Sequence, residues 1–120
     1  MNTPSQHKRY LQRINREKRS ERLRLAKLKG THTKLDWEEM KLFFNNTCVK
    51  CCGDSGLIRV EKDHIIPLYQ GGSDGLDNLQ PMCALCNSSK SAERLDYRPL
   101  AANRLSKILP EKYKFNGSSN

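Results

Sequence analysis

The sequence predicts a small α+β domain, stapled by zinc and preceded by a basic helical arm. Three observations predict it. Four of the five cysteines form two Cys-x-x-Cys pairs, Cys48/Cys51 and Cys83/Cys86. A β-branched run, a glycine-rich loop, a short second apolar run and a helix-forming stretch follow the first pair in that order. All the excess positive charge lies ahead of the cysteines, within residues 1–34.

A chain of 120 residues is one domain's worth. With 36% hydrophobic and 29% charged residues, its apolar core is small. Domains of this size often need disulfides or a structural metal. The first ten residues are polar and no apolar signal region follows them. No run approaches the roughly 18 apolar residues that a membrane helix requires. The expectation is a soluble, cytoplasmic protein with no membrane association. In a reducing compartment, clustered cysteines point to metal binding instead of disulfides.

Residues 1–34 hold eleven Lys or Arg against two Glu, and residues 35–120 hold eleven basic against eleven acidic residues. The whole net charge of +9 therefore sits in the arm. Such an arm suits nucleic acid, and Arg13, Arg16, Arg19, Arg22 and Arg24 are the expected contacts. A solvated tail that only aids solubility is the plainer alternative. Helix-forming composition runs from about Tyr10 to Lys29, and Gly30 ends it. Leu11, Ile14, Leu25 and Leu28 make too thin a stripe to hold an isolated helix, so the arm is expected to order on a partner. His7 and His32, both in the arm, are expected to have no specific role. From Leu35 to Phe44 a second helix is expected, with Asp36 as cap and Glu39 completing a capping box. Trp37, Met40 and Phe44 share one of its faces and belong to the core.

Gly53 and Gly56 turn the chain after the first cysteine pair. Leu57 to Ile66 reads as a strand stopped by Pro67. Gly71 to Gly75 is a loop, and a second strand lies around Leu79 and Gln80. A helix is expected from Ala84 to about Leu95. A last one starts at Pro99 and stops before Pro110, and residues 116–120 form a disordered end. The resulting division is an arm over 1–34, a central domain over 35–98, and a C-terminal helix and tail over 99–120. No internal repeat is present.

A two-residue gap lets both thiolates of a pair face one ion. Two pairs complete the four-sulfur tetrahedron of structural zinc, so Cys48, Cys51, Cys83 and Cys86 are the expected ligands. The 31 residues between the pairs have room for a hairpin and a loop. Cys52 is left over and is an alternative to Cys51, at a three-residue gap from Cys48. A four-cysteine site has no open position and does no chemistry itself. The chemistry must come from other residues, of which Asp63, His64, Asn78 and Asn87 stand out. Adjacent strand residues point to opposite faces, so Asp63 and His64 share a site only if the strand end twists.

Cys48-x-x-Cys51, Asp63-His64-Ile65-Ile66-Pro67-Leu68, Gly71-Gly72, Leu76-Asp77-Asn78-Leu79-Gln80-Pro81 and Cys83-x-x-Cys86-Asn87-x-x-Lys90 stand in one order along the chain. This order resembles the zinc-containing HNH, or ββα-metal, endonucleases found among small phage and bacterial mobile-element proteins. The resemblance covers about residues 35 to 92. It implies a treble-clef-like ββα-metal fold and a DNA endonuclease, in a bacterial or phage-infected cell. His64 matches the general base, and Asp63 a carboxylate ligand to a catalytic divalent metal. Asn78 matches the middle asparagine, which constrains the loop and helps to orient the base. Asn87 matches the last position, a second metal ligand through its carbonyl oxygen, which makes this an HNN variant. Lys90 is the implied phosphate contact.

These residue types suit the chemistry. Histidine, with an unperturbed pKa of about 6.5, is a competent base at cellular pH. A carboxylate and an amide oxygen suit magnesium or manganese, with nickel as an alternative. Taken singly, Asn78 is an ordinary turn residue and Asn87 an ordinary helix-start residue; their combined order gives them meaning. Two other readings compete with a nuclease. One is a non-catalytic zinc module that only binds nucleic acid, and the other is an accessory to phage packaging proteins.

Overall fold

The chain pairs its two knuckle-forming segments through one short hairpin, as a computed structural model that describes residues 3–53 and 59–115 makes visible. Helix α1 spans Pro4–Lys29, α2 Lys34–Phe43, strand β1 Val60–His64, β2 Leu79–Cys83, α3 Ala84–Lys90 and α4 Arg98–Arg104. Single 3-10 turns occupy Leu68–Gln70, Leu76–Asn78 and Glu111–Tyr113. The α+β class and the order strand, strand, helix agree with the expectation.

Helix α1 begins six residues before the expected start. Thr3 caps it: its hydroxyl accepts from the Gln6 backbone, while the Gln6 side chain accepts from the Thr3 N–H. Pro4 then occupies the first turn, where no N–H is needed. In α2 the cap is Thr33 and not Asp36, with Asp36 as the reciprocating third residue. The Thr-x-x-Asp spacing places a hydroxyl where the first free N–H groups need an acceptor. Trp37 and Met40 lie on the buried side of α2, and Phe44 follows at its end.

β1 and β2 are antiparallel, with Asp63 opposite Gln80 and His64 opposite Leu79. β1 is shorter than expected. Beyond His64 the Ile65 N–H still reaches the Asn78 carbonyl, but the Ile66 N–H goes to the Asn78 side chain. The expected first residues of the strand, Leu57 and Ile58, lie outside the described residues, as does the expected disordered end at 116–120. Helix α3 stops at Lys90, well short of Leu95, because Ser91 takes a left-handed conformation (φ 52°). α4 also ends early, with Ser106 left-handed (φ 55°) before Pro110 is reached.

One core binds these pieces. Trp37, Met40 and Phe44 of α2 pack with Val49, Leu79, Met82, Ala101, Ala102 and Tyr113. Arg98 is wholly buried, yet its guanidinium donates to the carbonyls of Leu76, Asp77 and Leu79 and pairs with Asp96. A buried charge is tolerable only when so fully satisfied, and here it clamps the turn that leads into β2. No helix among the described residues is long and apolar enough to cross a membrane.

Candidate functional site

The cysteine cluster stands where β2 runs into α3. The Sγ atoms of Cys48, Cys51, Cys83 and Cys86 all lie within 4.8 Å of one another, and Cys51 and Cys83 are 3.9 Å apart. Zinc–sulfur bonds of about 2.3 Å at tetrahedral angles demand sulfur separations of about 3.8 Å, so the four residues could hold a structural zinc ion. Cys52 stands outside the cluster, which removes it as the alternative to Cys51. The knuckle docks on the sheet where the Val49 N–H donates to the Pro81 carbonyl. Cys83 ends β2 and also caps α3, its sulfur accepting from the Cys86 N–H.

Local electrostatics support a cation there. Burial opposes the Cys48 thiolate, but the backbone donors of Cys51, Cys83 and Lys50 outweigh it and bring the thiol down to about 7. Burial, then the neighbouring cysteines, push Cys86 up to about 12. Four clustered thiolates would repel one another, and a bound cation would offset that charge.

His64, at the end of β1, turns toward the glycine loop. Its Nε2–H donates to Asp74 Oδ1 at 2.9 Å. Asn78 holds that loop: its Oδ1 accepts from the Ile66 N–H, and its Nδ2 donates to the carbonyls of Ile66 and Ser73. The approach leaves space only for glycine at position 72, where a Cβ would lie 1.9 Å from the Ile66 oxygen. Gly71 adopts φ 89°, a left-handed turn that glycine takes without strain.

Asp63 takes the other side of β1. It is buried, accepts from Gln80 Nε2 at 2.8 Å, and pairs with Lys90 Nζ at 3.3 Å. Burial raises its pKa above the usual carboxylate value, while the Gln80 amide, the Lys90 ammonium and His64 act in the opposite direction. The twist needed to align Asp63 and His64 is not seen in their partners, which lie on different elements: Gln80 and Lys90 for one, Asp74 for the other. Asn87, on α3, donates from Nδ2 to Glu61 Oε1 at 2.8 Å. Glu61 stands two residues before Asp63 and so shares its strand face. Lys90 departs from the expected phosphate contact. Its side chain is fully buried and donates to the Ile65 carbonyl as well as to Asp63.

Sequence reasoning missed four contributors: His32, Asp74, Gln80 and Arg98. His32, expected to be idle, is buried and its Nδ1–H donates to the Asp74 carbonyl at 2.7 Å. Around it the end of α1 docks on the loop, with the Asp74 N–H donating to the Ala26 carbonyl and Lys29 Nζ to the Gly71 carbonyl. The expected arm arginines Arg13, Arg16, Arg19, Arg22 and Arg24 are all exposed. Arg24 pairs with Glu21, and the Arg22 guanidinium lies over the Tyr69 ring.

A four-cysteine cluster that clasps an antiparallel hairpin and the helix after it defines a small ββα-metal zinc domain. The family model described as HNH endonuclease matches residues 48–93, and this part of the chain is an HNH-family domain. Neither the curated proteins nor the solved structures provided a match. The matched stretch begins at Cys48 and includes every knuckle residue together with His64, Asn78 and Asn87. An HNH domain implies nucleic-acid binding and suggests nuclease activity in general.

Proposed function

We propose that the protein is a DNA endonuclease that hydrolyses phosphodiester bonds with His64 as general base and one divalent cation. The observation that carries the reading is the HNH match over a segment in which His64 ends a strand and has one ring nitrogen committed to a carboxylate. An ionised carboxylate only accepts, so Nε2 holds the proton and Nδ1 keeps the lone pair that takes a proton from water. Asn78 supports this by tying the loop that carries Asp74 to the end of β1.

Asp63 and Asn87 would hold the cation, with Glu61 as a neighbouring carboxylate. Because Asp63 lies on the strand face away from His64, the end of β1 must twist for both to serve one phosphate. Carboxylate and amide oxygens fit magnesium or manganese, with nickel as the alternative to be tested beside them. When bound, the cation would supply charge neutralisation for the phosphate and its departing oxygen. Lys90 pairs with Asp63 from inside the fold and fixes the carboxylate against Gln80. That same ion pair favours a second reading. A carboxylate already neutralised by Lys90 suits a non-catalytic zinc module, or an accessory to phage packaging proteins.

Supercoiled plasmid separates the two. The nuclease reading expects nicked or linear DNA when magnesium, manganese or nickel is added, and intact plasmid when none is. Added metal is omitted, not chelated, so that the cysteine-bound zinc stays in place. DNA binding without cleavage under every metal supports the accessory reading.

The arm is proposed as the backbone-binding element. By helical spacing Arg9, Arg13, Arg16, Arg24 and Lys27 form one stripe along α1. Each phosphate they neutralise steepens the salt dependence of affinity by about 0.9 log units per log unit of salt. Removing residues 2–20 takes away Arg9, Arg13 and Arg16 of that stripe, together with Lys8, Lys18 and Arg19, but leaves the docked end of α1. The slope is expected to flatten by about 2–3, with sequence preference little changed, because phosphate contacts read no bases. Equal slopes in a salt titration of the two proteins would exclude the arm from the DNA interface.

A further inference from the structure

We infer that Asp74, anchored by His32, is the positioning residue for His64, a device that ties the end of the arm to the active site. The inference rests on the nuclease reading for the role of His64, but its geometry stands independently. Three side chains run inward from the surface: His64 is 22% exposed, Asp74 10% and His32 7%. Each link has one possible direction. The Asp74 carbonyl can only accept, so His32 carries its proton on Nδ1. The Asp74 carboxylate accepts in turn, so His64 carries its proton on Nε2. The imidazole thus has one tautomer and one rotation, with Nδ1 left as the basic atom.

A carboxylate on a glycine-rich loop positions nothing unless the loop is held. Asp74 is held on every side. Its N–H donates to the Ala26 carbonyl of α1 and its carbonyl receives His32. The neighbouring Ser73 carbonyl receives Asn78, and the Ser73 hydroxyl accepts from the Gly75 N–H. Close packing adds to this, since a Cβ on Gly30 would lie 3.3 Å from the Gly75 Cα. His32 lies 42 positions before Asp74 in the chain, so the segment joining α1 to α2 completes the environment of the base from outside the HNH-matched residues. The arm therefore does more than attract DNA. Its docked end holds the carboxylate that aims the base, and among the described residues no hydrogen bond or ion pair joins residues before 20 to it.

The test uses the full chain with Asp74→Asn and measures two things. The first is plasmid cleavage with added metal. Partners that orient metal-ligating histidines are worth about 10–100-fold, and a fall of that order in kcat is expected for the base His64. KM for plasmid, zinc content and thermal midpoint are expected to stay at wild-type values. The second is the 15N spectrum of the His64 ring at about pH 8.5, where imidazoles are neutral. Wild type is expected to show a single Nε2-protonated tautomer, and Asp74→Asn a mixture. Wild-type kcat with an unchanged ring spectrum overturns the inference. If the wild-type protein cleaves nothing, the nuclease reading fails, and the spectrum alone decides the positioning. If Asp74→Asn loses zinc, His32→Phe replaces it, since it removes the donor to the Asp74 carbonyl and leaves the carboxylate. A several-fold lower kcat with partial loss of the tautomer supports the inference, and wild-type behaviour in both measurements overturns it.

Discussion

Cys83→Ser is expected to abolish zinc binding and unfold the hairpin module, whereas Cys52→Ser is expected to leave both zinc binding and fold in place. The size of the expected effect follows from two magnitudes. Structural zinc contributes about 10–16 kcal/mol in small finger peptides, and whole domains are stable by only about 5–15 kcal/mol. Cys83 also has several tasks. It ends β2 opposite Val60, supplies one of four clustered sulfurs, and caps α3 by accepting from the Cys86 N–H. A serine hydroxyl can keep the cap but is a poor zinc ligand. The freed knuckle then loses its hold on the Pro81 carbonyl through Val49, and the buried Met82 and Leu79 lose their cover. Cys52 is exposed and outside the cluster, so its sulfur has no such task. Zinc content per chain and the circular dichroism melt check both variants. A Cys83→Ser protein with one equivalent of zinc and a cooperative melt at the wild-type midpoint would remove zinc from the account of the fold.

The features legible in the sequence are those fixed by short spacings. Two Cys-x-x-Cys pairs announce the cysteine cluster because a knuckle is a local structure. The Trp37, Met40 and Phe44 face follows from helical repeat. The Thr3-x-x-Gln6 cap and Pro4 are equally local signals of where α1 starts. The thin apolar stripe of the arm is a sound argument against an isolated helix, but the last turn of α1 is not isolated. Ala26 is buried against the loop, and its carbonyl accepts from the Asp74 N–H.

Other features depend on separations that no spacing rule reaches. Arg98 meets carbonyls about 20 residues earlier in the chain, and its burial reverses the usual preference of arginine for the surface. Lys90 reads as a phosphate contact from its place after the second knuckle. The left-handed Ser91 ends α3 directly after it, and its ammonium lies inside, against Asp63. The alternation of a strand already warned that Asp63 and His64 face apart, and their partners on different elements bear the warning out. What alternation leaves unsaid is where each carboxylate and imidazole finds its partner. For His64 the answer is Asp74, ten residues on in a loop whose sequence reads as a mere turn.

His64 is proposed to remove a proton from the attacking water, and His64→Ala tests that role most directly. General-base help is worth about 10²–10⁴-fold, so cleavage of supercoiled plasmid is expected to fall by that factor with magnesium or manganese present. Folding should survive, because the His64 ring is part-exposed and belongs to neither the cysteine cluster nor the buried core. Zinc content, thermal midpoint and DNA affinity are therefore expected to match the wild type. The decisive measurement is the initial rate of plasmid cleavage at saturating DNA, wild type beside His64→Ala, on protein of verified zinc content. A loss of at least 100-fold with binding intact is the predicted result. Cleavage by folded, zinc-loaded His64→Ala at the wild-type rate would contradict the account.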